Sequence, residues 1–98
     1  MTWEFRWQRS VEFSETDLAG IVHFSNYFRY MEAAEHAFLR SLGVSVSGEL
    51  EGQRYGWPRV QARCEFRAPL GFEDVFEIQV LVARLGTRSI EFAHVLRR

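Results

Sequence analysis

The residues best suited to chemistry lie close together, in Ser14-Glu15-Thr16-Asp17-Leu18-Ala19-Gly20-Ile21-Val22-His23-Phe24-Ser25-Asn26-Tyr27. This stretch holds one of the two aspartates in the chain and one of its three histidines. It runs directly into a segment with helical periodicity. A helix N-terminus carries free N–H groups and a partial positive charge, and such groups can polarise a carbonyl oxygen and stabilise an oxyanion. A carboxylate beside them can attack that carbonyl or activate a water. Asp17 with a helix start is therefore a minimal hydrolytic site for an activated acyl group. The same Thr-Asp-x-x-Gly pattern also makes an Asx turn, in which the aspartate only ties its own backbone. Spacing alone leaves both readings open.

The elements around this stretch must position it. Residues 3–13 alternate: Trp3, Phe5, Trp7, Val11 and Phe13 share one parity, and Arg9 alone breaks the apolar face. That period of two predicts a half-buried strand. Residues 14–26 lose the alternation and predict a structured loop, with Ser25 or Asn26 as the helix N-cap. Residues 27–42 predict a helix with a stripe of Tyr27, Met31, Ala34, Phe38 and Leu42, stopped by Gly43. Residues 43–57, with Gly48, Gly52 and Gly56, predict a loop anchored by Tyr55 and Trp57. Three further strands are predicted at 58–68, 74–84 and 89–97, each from alternation. Pro69-Leu70-Gly71 ends the first of these, and Gly86 marks a tight connection between the other two. One helix facing at least four hairpin-connected strands implies an antiparallel sheet curled around that helix.

Composition narrows the function classes. The chain has 98 residues, 47% of them hydrophobic and 26% charged, which predicts a single folded domain over 1–98. Its net charge of −1 provides no field to recruit nucleic acid or anionic lipid. All twelve basic residues are Arg, so lysine-dependent chemistry is excluded. The lone Cys64 excludes an internal disulfide and a cysteine-rich metal site. No apolar run approaches a membrane span, and the first residues lack the apolar core of a signal peptide; a cytoplasmic location is expected. Aromatic residues make up 15% of the chain and need a core, an interface or a pocket to cover them.

The stretch Asp17-Leu-Ala-Gly20-Ile-Val22-His23-Phe-Ser-Asn26-Tyr27-Phe-Arg-Tyr30-Met-Glu32-Ala-Ala-Glu35 resembles the signature of the 4-hydroxybenzoyl-CoA thioesterase family, hotdog-fold acyl-CoA thioesterases that include those associated with the Tol-Pal system. Phe66-Arg-Ala-Pro69-Leu-Gly-Phe-Glu-Asp74 is similar to the end of the family's second strand and the turn after it. The resemblance implies an α+β hotdog fold, an antiparallel sheet wrapped around one long central helix. It implies hydrolysis of an acyl-CoA thioester with no metal and no organic cofactor, coenzyme A being part of the substrate. Asp17 matches the catalytic carboxylate, and the Phe24 backbone N–H matches the oxyanion hole. Gly20 matches the glycine of the tight loop. His23 stands at a variable pocket position, and Val22, Asn26 and Tyr27 match positions at the helix start and the pocket. A homodimer or homotetramer with sites at subunit interfaces is also implied.

Other residues are weaker candidates. Arg84 and Arg88 flank Gly86 and could meet the phosphates of coenzyme A, or be ordinary hairpin charges. Glu32 and Glu35 lie on the helix, Glu32 spaced to pair with His36. Arg59, Arg63 and Arg67 stripe a strand face without the aromatics of a nucleic-acid surface. His94 and Cys64 sit on apolar parities and read as buried groups. Resembling proteins continue through a further strand inside the sheet, so a shorter or truncated member is expected here, with strand 58–68 missing one neighbour. Two other functions compete with thioester hydrolysis: non-catalytic acyl-CoA binding or regulation, and a dehydratase using His23.

Overall fold

The computed structural model describes residues 4–45 and 47–98. Trp3, at the head of the first alternating run, lies outside them. The rest of that run forms β1 (Glu4–Ser10), with Phe5, Trp7 and Arg9 half-buried between exposed neighbours. The strand ends three residues earlier than its alternation predicts. Val11 closes the ladder with its N–H to Asp74 O (2.9 Å), and Phe13–Glu15 then form a single 3-10 turn that leaves Phe13 exposed.

The helix α1 runs over Ser25–Ser41. Its buried stripe is Tyr30, Ala34 and Phe38, not the Tyr27-Met31 line of the sequence pattern, and Leu42 lies exposed beyond its end. Neither expected residue caps it. The N-cap position is Phe24, and no side chain of that residue bonds the first turn.

After the helix, the predicted loop contains a short hairpin, β2 (Ser47–Leu50) and β3 (Gln53–Gly56). Its two-residue turn, Glu51-Gly52, has positive φ at both positions, the conformation that suits the twist of paired strands. β4 (Val75–Leu85) and β5 (Ile90–Arg97) follow as predicted. β4 is the centre of a three-stranded antiparallel sheet, with β1 on one side and β5 on the other. Phe76, Ile78 and Val80 of β4 are fully buried beneath α1. Tyr30 packs on Phe76 (4.9 Å between centroids), and Phe38 stacks on Phe5 (5.4 Å).

The strand predicted at 58–68 does not form. The segment pairs with no other strand among the described residues. An open groove of about 1470 Å³ lies between this segment, the α1 face carrying Phe28, Met31 and Glu35, and β5. Alternation can specify which face of a strand is wet, but a ladder needs a neighbour to receive its N–H and C=O groups. No described helix is long and apolar enough to cross a membrane.

Ile78 sits at the middle of the central strand with no exposure. Ile78→Ala is expected to remove about 2–5 kcal/mol of stability, seen as a lower urea midpoint with unchanged slope.

Candidate functional site

The loop before α1 is a miniature hairpin. Its arms are joined by His23 N–H to Glu15 O (3.0 Å), an isolated bridge between Thr16 and Val22, and Asp17 N–H to Ile21 O (2.9 Å). Gly20 N–H closes the turn onto Asp17 O (3.0 Å). Gly20 has φ of +79° and open space where a Cβ would stand, so backbone conformation and not crowding calls for glycine here. Val22 N–H bonds Leu70 O (2.8 Å), and the Val22 side chain is buried in the core. That residue fastens the loop down and lines no groove.

Asp17 stands at the corner of this hairpin, exposed. Its Oδ1 accepts from Ala19 N–H (2.9 Å), the Asx-turn bond that the sequence pattern allowed. The second oxygen makes no hydrogen bond among the described residues. Phe24, next to the helix, has an N–H with no acceptor among the described residues. His23 supplies what the expected caps do not. Its Nδ1 accepts from Ser25 N–H (3.3 Å) and lies 2.8 Å from Ser25 Oγ. That engagement leaves His23 as a support of the helix start. Asn26 is buried and points its amide back to the loop, Nδ2 donating to Glu15 O (2.9 Å).

Aromatic rings flank the same end of α1. Tyr27 and Phe24 both pack edge-on against Phe66 (centroids 5.3 and 6.4 Å apart), and Leu70 N–H bonds the Tyr27 hydroxyl (3.3 Å). Phe24 and Phe66 remain more than half exposed. Arg88 is not brought into this group. The Asp17 loop docks at the Val75 end of β4 through Leu70 and Gly71, while Arg88 follows Leu85 at the other end, ten residues or about 33 Å along the strand.

Sequence reasoning missed Glu15. Its Oε1 accepts from the Tyr30 hydroxyl (2.9 Å) and Glu12 N–H (2.8 Å), and its Oε2 pairs with Arg9 Nη2 (2.7 Å). The Arg9 guanidinium also lies over the Tyr30 ring, 4.5 Å from its centroid. The available signal was Arg9 itself, a cation on the apolar parity of a strand, which requires a carboxylate close by.

A model of the thioesterase-like superfamily matches residues 11–98. The chain belongs to that superfamily. A protein of Aquifex aeolicus with a known crystal structure is 39% identical, superposes with a TM-score of 0.76 and aligns over 94% of this chain and 81% of that one. The structure of a gentisyl-coenzyme A thioesterase is 32% identical, with a TM-score of 0.81 over 94% of this chain and 74% of its own. The 4-hydroxybenzoyl-CoA thioesterase of Pseudomonas sp. (strain CBS-3) is 28% identical over 93% of this chain, which spans 66% of that enzyme. The resemblance read from the Asp17 signature thus holds, and so does the fold: one helix against an antiparallel sheet.

A second polar group of this thioesterase-like domain lines the groove. Glu35 is buried in α1 and pairs with Arg59 of the extended segment (2.7 Å). His94 Nε2 of β5 stands 2.8 Å from Glu35 Oε2, poorly directed for a hydrogen bond. Cys64 is half-buried, and burial with the Glu65 charge pushes its thiol up, away from the reactive thiolate. Burial alone would raise the Glu35 carboxyl, but His94 and Arg59 together outweigh it and hold the group below its ordinary 4.5. A depressed folded-state pKa means that this clasp stabilises fully above about pH 4.5 and is lost as pH falls through the folded value. Urea midpoints measured between pH 3 and 7 should fall on the acid side for the wild type, with a shallower fall in Glu35→Gln.

Proposed function

We propose that the domain is an acyl-CoA thioesterase in which Asp17 is the catalytic carboxylate and the Phe24 backbone N–H the oxyanion donor. The observation that carries this reading is the Asp17 hairpin fastened to the N-terminus of α1, with a carboxylate oxygen and a backbone donor both left free of partners among the described residues. Asp17 takes a proton from water as the water oxygen attacks the thioester carbonyl, and the tetrahedral oxyanion is held by Phe24 N–H and the helix dipole. Collapse breaks the C–S bond. The thiolate leaves without strong acid help, because a thiolate is only weakly basic; it then takes the proton held on Asp17, which restores the carboxylate as the carboxylic acid is released. Direct attack by Asp17, forming an anhydride that water then opens, uses the same groups.

An aromatic acyl group suits the exposed Phe24 and Phe66 rings beside the half-buried Tyr27, and the relatives named above act on gentisyl- and 4-hydroxybenzoyl-CoA. Exposed Phe13, Leu18, Phe24, Phe66 and Phe72 surround the Asp17 loop, an apolar surface that a second copy of the chain would cover. A cytoplasmic homo-oligomer is the form this reading favours, with Arg88 of one copy free to meet phosphates held by another. Non-catalytic acyl-CoA binding is the second reading, favoured by the Asx-turn bond that occupies Asp17 Oδ1.

Release of free thiol from 4-hydroxybenzoyl-, gentisyl- and octanoyl-CoA separates the two. Turnover is expected for the wild type, faster on the aryl thioesters, and about 100-fold or more slower in Asp17→Asn with folding retained. Binding of acyl-CoA without turnover by either protein would establish the second reading.

A further inference from the structure

We propose that Glu15 is the positioning residue of the hydrolytic site, fixing the hairpin that carries Asp17 against the start of α1. The inference rests on the role given to Asp17 above. Five donors converge on this one residue from different elements. Its carboxylate receives Arg9 from β1, Glu12 N–H from the 3-10 turn and the Tyr30 hydroxyl from α1. Its carbonyl receives His23 N–H from the opposite arm of the hairpin and Asn26 Nδ2 from the first turn of α1.

These anchors are themselves held. Tyr30 has no exposure and packs on Phe76 of the central strand. Burial, reinforced by the Glu15 carboxylate, pushes its phenol far above the ordinary range, so it stays an O–H donor. Arg9 is sandwiched over the Tyr30 ring with a side chain that is 21% exposed. Covering a loop requires only apolar contact. Five directional bonds to one residue also fix its orientation, and a carboxylate that lies mostly out of water is tolerated because each oxygen is bonded.

The fixed orientation reaches Asp17 by a short path. The Glu15–His23 rung is followed by the Thr16–Val22 bridge and the Asp17–Ile21 rung. Asn26 ties the same carbonyl to the helix whose start carries Phe24 N–H. Glu15 thereby sets the carboxylate and the oxyanion donor relative to each other. Neither substrate nor reacting atom needs to touch it.

Glu15→Gln keeps the shape but removes the charge that Arg9 requires. Tyr30→Phe keeps the buried ring and removes one O–H. Hydrogen exchange at the amides of Asp17, Gly20 and His23 is compared with that at Ile78 and Val80 in wild type and both variants, alongside steady-state kinetics. The expected result is loop amides exchanging about tenfold faster while the β4 amides hold, with kcat about tenfold lower and KM within about twofold. Loop amides unchanged in both variants would overturn the proposal. So would loop and β4 amides accelerating together, which would make Glu15 a general stabiliser, or a raised KM at constant kcat. Should the wild type turn over no acyl-CoA, the role of Asp17 fails on its own, and the exchange comparison still decides whether Glu15 holds the hairpin.

Discussion

Tyr30 is the joint of the molecule. Its ring lies fully buried against Phe76, in the layer where α1 meets the sheet, and its hydroxyl reaches Glu15 at the edge of that layer. Apolar burial is strong but undirected, whereas a single hydrogen bond is directed but contributes only about 1 kcal/mol. A tyrosine combines the two. The core fixes where the oxygen is, and the oxygen fixes where the loop is. Arg9 works in the same way from β1, resting its guanidinium on the Tyr30 ring while it pairs with Glu15. The loop is thus an extension of the core by polar means, and its outer face stays open to solvent.

How much of this could be read beforehand differs from element to element. β4 and β5 were legible because each alternates over at least eight residues and has a partner close in sequence. The helix was legible from its composition, and Ala34 and Phe38 of its stripe are buried as expected, but Tyr30 takes the place given to Tyr27 and Met31, since the three are similarly apolar and only the position of the sheet distinguishes them. The β2–β3 hairpin was missed because its strands are short and largely polar, with the turn signal Glu51-Gly52 in place of the stronger Asn-Gly. The 58–68 segment alternates as cleanly as β4, yet alternation records a preference for one wet face and says nothing about whether a neighbouring edge is present. At the candidate site, the turn that Asp17 and Gly20 make was legible from the Thr-Asp-x-x-Gly pattern. Glu15 was not, because its importance lies in contacts with Arg9, Tyr30 and Asn26, which no local pattern encodes.

Three carboxylates on or beside the helix illustrate how environment divides similar groups. Glu15 and Glu35 are each held by an arginine, but Glu15 faces a loop fully bonded around it and Glu35 faces a groove. Asp17 has one oxygen tied by its own turn and one without a partner among the described residues. A carboxylate with remaining acceptor capacity and access to solvent can take part in proton transfer. One saturated by donors cannot do so without first losing them.

The buried residues are not spread evenly around α1. Val11, Val22, Tyr30, Ala34, Phe38, Leu70 and the inward residues of β4 form one contiguous cluster on the β1–β4 side. Among the described residues, the β2–β3 hairpin and the extended segment contribute nothing to it. That division predicts two cooperative units of unequal strength. Warming or mild denaturant would release the hairpin and the 57–69 segment first, opening the groove and the Arg59 clasp. The hairpin that carries Asp17 is rooted in the stronger unit and would melt with the sheet, whereas Phe66 would leave Phe24 and Tyr27 with the segment that carries it.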